Sequence, residues 1–376
     1  MTSSREFRSQ EIYVNMGPQH PSTHGVLRLM LRTDGEIVSD VAPMIGYLHR
    51  CAEKYGESGT YQMMIPYTDR MDYLAGMNCN WAYCLAVEKL GNVVVPERAE
   101  YIRILVGELN RIASHLIAFG TYGLDLGAFT PFFYALDERE KILDLFEMVC
   151  GARLTYSYFR IGGVAADLPE GWVKRCHEFI DFFRKRIDEF NELLTYNYIF
   201  IRRTANIGVI PANMAVDYGC TGPVLRGSGM RRDTRVDEPY GLYPRLRFHI
   251  PIGMGEKGSV GDCWDRYMVR IREMEQSCDI IKQVLKSMPE KGDVRAKVPK
   301  AFKPPKGEVY VRSESSKGEL GFYLISDGTD RPYRVKARSP SLSNLCVLPA
   351  ISDGMMIADL VATLGSLDIV MGEIDR

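Results

Sequence analysis

His20-Pro-Ser-Thr-His24-Gly25 places two of the chain's six histidines in one short Pro/Gly loop. Imidazole gives and takes protons near neutral pH, so such a loop could present a proton donor to a ligand. A turn with solvated histidines would read the same way. In Pro66-Tyr67-Thr68-Asp69-Arg70-Met71-Asp72-Tyr73, Asp69 followed by Asp72 has the spacing of a capped helix start. That puts Tyr73 in the first helical turn, where the macrodipole favours negative charge on a bound group. A core tyrosine with a paired hydroxyl fits the position as well. In Leu124-Asp125-Leu126-Gly127-Ala128-Phe129-Thr130-Pro131, a carboxylate stands inside an apolar stretch. It needs a partner or a raised pKa there, unless it caps the following helix.

Other chemistries are poorly provided for. The nine cysteines include no Cys-x-x-Cys pair, and their odd number suits reduced thiols, not a disulfide framework. No thiolate cluster for iron–sulfur or structural zinc is visible, and the histidines lack zincin spacing, so no metal ligands are assigned. Gly253-Met-Gly255-Glu-Lys-Gly258 follows the strand-like Leu246–Ile250 and spells a dinucleotide fingerprint. Its third glycine should lie inside an opening helix, yet the next helix starts only near Asp262, and no βαβ series surrounds it. A nucleophile elbow of the Gly-x-Ser-x-Gly type is missing too. Lys plus Arg total 47 against 48 Asp plus Glu, so nothing in the charge recruits nucleic acid.

The elements that must hold these residues follow from periodicity. Extended segments over Glu11–Asn15, Gly25–Arg32 and Glu36–Val41 enclose an Asp34-Gly35 turn, a hairpin signal. A helical stripe runs through Leu74, Met77, Trp81 and Leu85. Pro96 opens a second helix, with Glu97 and Glu100 in its first turn and Ile102, Leu105, Leu109, Ile112 and Leu116 on one face. Ile112–Leu136 is the nearest approach to a membrane span, but His115, Asp125, the glycines and Pro131 make it two buried helices joined by a turn. Further helices are expected at 134–150, 170–195, 262–288 and 354–365. Short strands are expected at 308–312, 321–325 and 333–337, after a Pro/Lys stretch over 299–306. The opening Met-Thr-Ser-Ser-Arg-Glu shows no leader pattern. The fold class is α+β, mainly helical: a bundle flanked by small β-sheets. The divisions expected are 1–50 (β-rich, carrying the His20/His24 loop), 51–298 (helical core) and 299–376 (β-hairpin and closing helix).

Several segments together resemble one family nearly end to end. They are Gly17-Pro-Gln-His-Pro-Ser-Thr-His-Gly-Val-Leu-Arg28, His49-Arg50 before Glu53-Lys54, Pro66 through Tyr73, Ala86-Val-Glu-Lys-Leu90, and Leu124-Asp-Leu-Gly through Pro131-Phe-Phe. Arg160-Ile-Gly-Gly-Val164, Leu225-Arg-Gly-Ser-Gly229, Pro305-Lys-Gly-Glu308 and Ser366-Leu-Asp-Ile-Val-Met-Gly-Glu-Ile-Asp-Arg376 complete the set. The chain resembles the 49-kDa or D subunit of respiratory NADH:quinone oxidoreductase, a family related to nickel–iron hydrogenase large subunits. That kinship implies a hydrogenase-like helical bundle. Where hydrogenases end in Asp-Pro-Cys-x-x-Cys, Asp368 through Glu373 carry Val370 and Glu373 at the cysteine positions. The resemblance therefore implies a cavity kept without the metal. Two departures stand out. Cys51 replaces a glycine after His49-Arg50, with little effect expected. The stretch 289–304 is short where many relatives carry an additional helix.

The resemblance implies that the chain binds no cofactor itself, that quinone is its substrate, and that electrons come from an iron–sulfur cluster on an adjacent subunit. It assigns His24 and Tyr73 as hydrogen-bond donors to the quinone headgroup, Asp125 as partner of His24, and Thr121 as pocket wall. His20, His49 and Arg50 are placed behind them. The implied partners are the cluster-bearing B-type subunit, the C-type 30-kDa subunit, the I-type ferredoxin-like subunit and the membrane H-type subunit. The implied location is the cytoplasmic side of a bacterial inner membrane, or the matrix side in a mitochondrion. A relative complex driven by ferredoxin or another carrier would use the chain in the same role.

Overall fold

The computed structural model describes residues 11–376, so the opening Met1–Glu6 lies outside it. The N-terminal sheet is an antiparallel meander of β1 (Glu11–Met16), β2 (Arg28–Asp34) and β3 (Ile37–Met44). Asp34 pairs with Ile37 across the tight turn that Asp34-Gly35 announces. The β2 strand begins three residues later than the sequence suggests. Its place is taken by the His20–Gly25 loop, whose Pro21–Thr23 turn leads into His24 in a left-handed conformation, φ 49° and ψ 45°.

After α1 (Ala52–Ser58) and a short helix at Ile65–Thr68 comes α2 (Gly76–Leu90), and then α3 (Glu97–Asp125). The expected stripe of α3, Ile102 through Leu116, is wholly buried. So are the polar residues between: Arg103, Glu108, Arg111 and His115 are each shut off from solvent. A 29-residue helix buried on all sides can carry such groups only if they are paired. Arg103 Nη2 bonds Glu88 of α2, and Arg235 Nη1 lies 3.1 Å from Glu108. His115 Nε2 lies 2.9 Å from Glu273. Arg226 Nη2 reaches Glu273 at 2.7 Å, and its Nη1 reaches Glu314 at 2.8 Å. These ions tie α3 to its neighbours, and deleting one partner would cost about 3–5 kcal/mol through the charge left unpaired.

The turn expected inside 112–136 separates α3 from α4 (Thr130–Cys150), and α5 (Trp172–Phe190) and α6 (Cys263–Ser287) complete the bundle. Among the described residues, no helix is long and apolar enough to cross a membrane. A second antiparallel sheet, β4 (Gly307–Ser315), β5 (Gly318–Ser326) and β6 (Arg334–Arg338), packs on α2. Then come α7 (Pro340–Cys346), α8 (Ile357–Leu367) and a last turn of helix at Met371–Asp375. Leu345, Leu360, Leu364 and Ile374 join Leu27, just before β2, and Leu29 and Val41 of the N-terminal sheet in a second hydrophobic cluster. The architecture is α+β and mainly helical.

Local expectations are corrected at two places. Asp69 and Asp72 do not open a helix: residues 69–75 form turns, α2 starts at Gly76, and Tyr73 precedes it. The Asp72 carboxylate instead accepts the N–H groups of Leu74 and Ala75 at 3.1 and 3.2 Å, so it caps turns and not the first helical turn. Leu246–Ile250 is not a strand. In the glycine-rich loop after it, the Gly255 N–H donates to Asp265 at 2.9 Å, and α6 starts at Cys263 with Asp262 as its cap. The amide that a phosphate would need is therefore committed internally.

Candidate functional site

Asp125 is the last residue of α3 and does not cap α4, whose N-cap position is Phe129. Its Oδ2 lies 3.2 Å from His24 Nε2, with both side chains largely buried. The contact is built by close packing of α8 against α3. A Cβ on Gly365 would come within 2.7 Å of the same Asp125 oxygen and 2.9 Å of Tyr122, so only glycine leaves Asp125 its place. The two atoms stand at ion-pair distance without making a hydrogen bond in this arrangement, so the carboxylate is placed to partner the ring. Thr121 sits one turn earlier on α3 with its hydroxyl donated to Ile117 O at 2.8 Å.

Tyr73 stands elsewhere, half-buried in the wall of a cavity of about 930 Å³ shared with Arg50, Cys51, Tyr67, Gly372 and Arg376. Tyr55 and Tyr67 stack with ring centroids 5.5 Å apart and planes at 4°, giving this cavity an aromatic wall. Burial, reinforced by the charges of Asp72 and Asp368, pushes the Tyr73 phenol above its ordinary range. It is therefore a protonated donor at neutral pH.

The Met371–Gly372 step runs between the two groups. A Cβ on Gly25 would meet Met371 Cγ at 3.8 Å, and one on Gly372 would fall 2.7 Å from the Met71 carbonyl. The loop carrying His49 and Arg50 is held by the same C-terminal segment. Asp375 accepts the N–H of Gly46 at 2.8 Å and of Leu48 at 2.7 Å, and its carbonyl meets His49 Nδ1 at 2.7 Å. The Arg50 N–H donates to Arg376 O at 3.2 Å. Thus Arg50 lines the cavity beside Tyr73, and His49 stands behind it against Asp375 and Cys51 Sγ, the latter at 3.6 Å. His20 is exposed, and its Nδ1 accepts the Ser22 N–H at 3.2 Å.

Cys51 adopts φ 57° and ψ 35°, the left-handed region that glycine enters freely. The departure from glycine is therefore a backbone strain, not the neutral replacement that size alone suggests. Sequence reasoning also missed the cavity's other walls, Tyr55, Tyr67, Arg70 and Arg376, together with a buried group behind it: Asp72, Lys317, Asp368 and Glu373. Asp368 and Glu373 could have been found by the argument applied to Asp125, since both are acids within an apolar run. Lys317, at the tip of the β4–β5 hairpin, has no such signal.

Among the described residues there is no group of three or more His, Cys, Asp or Glu side chains arranged to hold a metal ion. All nine cysteines are free thiols.

The family described as respiratory-chain NADH dehydrogenase, 49 Kd subunit, matches residues 125–303 and 296–376. The chain is 53% identical over 375 residues to the D subunit of NADH-quinone oxidoreductase from Chlorobium luteolum, covering 99% of this chain and 95% of that protein. It is 53% identical over 368 residues to the corresponding D subunit from Desulforamulus reducens, with 98% and 99% coverage. Against the D 2 subunit of NADH-quinone oxidoreductase from Anaeromyxobacter dehalogenans it is 52% identical over 369 residues, with 98% and 97% coverage. Matches of that identity along the whole of both chains leave the kinship in no doubt, and the chain belongs to the 49-kDa family of respiratory-chain NADH dehydrogenase, the D subunit of an NADH-quinone oxidoreductase complex.

Proposed function

We infer that the cavity beside Tyr73 is where a quinone headgroup is reduced and protonated within the assembled complex. One observation carries this reading most. A phenol held protonated by burial lines a partly aromatic cavity large enough for a headgroup, while an imidazole with a carboxylate 3.2 Å from its Nε2 stands across the Met371–Gly372 step. A quinone taking up two electrons develops oxyanion character on its two carbonyl oxygens, and donors placed there both stabilise that charge and surrender protons. Tyr73 and His24 act as those donors, and Asp125 keeps the His24 ring aimed. Arg50 supplies positive charge at the mouth. Thr121, one turn before Asp125, walls the pocket, while His49 and His20 act from behind: His49 by anchoring the Arg50 loop to Asp375, His20 by capping the turn that leads into His24.

In this reading the chain binds no cofactor of its own. Electrons come from an iron–sulfur cluster on a B-type neighbour, with C-type, I-type and membrane H-type subunits completing the surroundings. The chain is then a peripheral subunit, active only in the complex, on the cytoplasmic or matrix side. The relatives are named NADH-quinone oxidoreductases, which supports NADH over ferredoxin as the ultimate donor. A photoreactive quinone analogue bound to the assembled complex tests the placement. It should label residues 48–55 or 67–73, and excess quinone should compete. Competed labelling of this chain only at sites remote from both segments would sink it.

A further inference from the structure

Two buried carboxyls lie directly behind the cavity wall and have no part in the chemistry above. Asp72 precedes the cavity-lining Tyr73, and Glu373 follows the cavity-lining Gly372. Both side chains are completely buried. The two segments press backbone to backbone: a Cβ on Gly372 would come within 2.7 Å of Met71 O and 3.0 Å of Arg70 O. One oxygen of each acid is occupied. Asp72 Oδ1 takes the N–H groups of Leu74 and Ala75, and Glu373 Oε2 takes the Ser341 hydroxyl at 2.6 Å. The remaining oxygens, Asp72 Oδ2 and Glu373 Oε1, have no hydrogen-bond partner.

The cations nearby lie closest to a third acid, although the charge of Lys317 also reaches Asp72 and Glu373. Lys317 Nζ lies 2.6 Å from Asp368 Oδ2, and Arg270 Nε lies 3.4 Å from the same oxygen. Arg338 faces Glu373 from β6, but it hydrogen-bonds to Glu319 O, the Thr221 hydroxyl and Gly219 O. On α2 the facing group is Cys79, whose buried thiol is pushed well above its usual range and stays neutral. Two buried, neighbouring carboxylates that share Lys317 with a third acid cannot both remain ionised; such a pair keeps one proton between them. In keeping with this, burial and then the charge of Asp72 push the Glu373 carboxyl up to about 8, and burial raises that of Asp72 while Lys317 opposes it.

We propose that Asp72 and Glu373 hold one shared proton in reserve and pass it to Tyr73 after the tyrosine has protonated the reduced quinone. The proposal rests on the quinone reading above. Two electrons from the complex's own electron donor reduce the quinone. The Tyr73 O–H bond then breaks as a new O–H bond forms on a quinone oxygen, leaving a phenolate. The phenolate takes the proton from the carboxyl O–H of the pair, both acids are then ionised, and cavity water returns a proton to them through the Tyr73 hydroxyl. Because the two-carboxylate state is unfavourable, the pair gives up its proton only to a stronger base, and a phenolate is one.

The test uses the assembled complex in membranes with a short-chain quinone. Glu373→Gln should lower kcat for quinone reduction about tenfold or more with KM little changed. Glu373→Asp should restore most of the rate, and an artificial acceptor that intercepts electrons upstream should be reduced as by the wild type. Infrared spectroscopy should find a protonated-carboxyl band in the wild type at pH 7 that Glu373→Gln removes. Asp72→Asn retains an oxygen for the Leu74 and Ala75 amides but removes the repelling charge, so the band should titrate at lower pH. Wild-type quinone rates in Glu373→Gln across the pH range would overturn the proposal. So would absence of the band from the wild type, even with Tyr73 shown to be essential. If Tyr73→Phe leaves quinone reduction intact, the quinone reading itself fails, whatever the band does.

Discussion

His24 Nε2 lies 3.2 Å from Asp125 Oδ2, which joins a loop between two N-terminal strands to the C-terminal end of the longest helix. His24 holds φ 49° to make that approach, a conformation that costs roughly 1–2 kcal/mol for a non-glycine residue and persists where its surroundings fix it. Asp125→Asn preserves shape and removes the charge that orients the ring. Quinone reduction by the assembled complex should fall roughly tenfold to a hundredfold, with upstream electron transfer to an artificial acceptor unchanged. A variant that kept the wild-type quinone rate would show that the pair only fastens the loop.

Gly365 provides an independent handle on the same contact. A methyl there would meet Asp125 Oδ2 at 2.7 Å and Tyr122 at 2.9 Å, so Gly365→Ala must push α8 away or turn Asp125 off His24. We expect a cost of about 1–3 kcal/mol from overpacking. Quinone reduction should fall without any direct change to a proton-bearing group. Activity and thermal stability both at wild-type values would mean that the packing relaxes freely.

Cys51 carries strain that can be removed. Its left-handed conformation is cost-free for glycine, while glycine loses more entropy on folding. The net effect of Cys51→Gly should be a gain of up to about 1 kcal/mol, and Cys51→Ala should gain nothing because alanine meets the same steric cost. Urea unfolding of the three proteins side by side checks the order. Equal midpoints for glycine and alanine would refute it.

Asp69 gives a pH dependence with a definite sign. Its buried carboxylate accepts the Ser157 N–H at 2.9 Å, yet burial raises the acid to about 6. The folded state therefore binds a proton more tightly than the unfolded chain. Stability contributed by the protonated form is present in acid and is lost as pH rises from about 4 to about 6, by an amount on the order of 3 kcal/mol. Asp69→Asn keeps an oxygen for Ser157 and should flatten that fall. Hydrogen exchange of the 69–75 turn, corrected for its intrinsic pH dependence, reads it. An unchanged slope in the variant would assign the effect to another group.

What the sequence made legible was whatever local pattern alone decides. The Asp34-Gly35 hairpin, the α3 stripe and the late start of α6 that disqualified Gly253–Gly258 all rest on neighbours in the chain. Tyr73 was misplaced by one turn because Asp69 is drawn away to Ser157, a partner 88 positions distant, and Asp72 caps a turn before the helix begins. Leu246–Ile250 alternates like a strand but finds no strand to pair with; its His249 N–H is taken by Gln276 at 2.8 Å. The His24 and Tyr73 roles came from resemblance, since spacing left each open to a bland alternative. The cavity beside Tyr73 was invisible because its walls come from the 48–55, 67–73 and 372–376 segments, which only the finished fold brings together.

Tyr73→Phe, measured in membranes for quinone reduction beside reduction of an upstream artificial acceptor, tests the central claim most directly. Phenylalanine keeps the ring in the cavity wall and deletes only the proton-bearing oxygen. The expected result is quinone reduction lowered about a hundredfold with assembly and artificial-acceptor activity intact. Quinone reduction at the wild-type rate in that variant would contradict a working role for Tyr73, and with it the assignment of this cavity as the place where quinone is protonated.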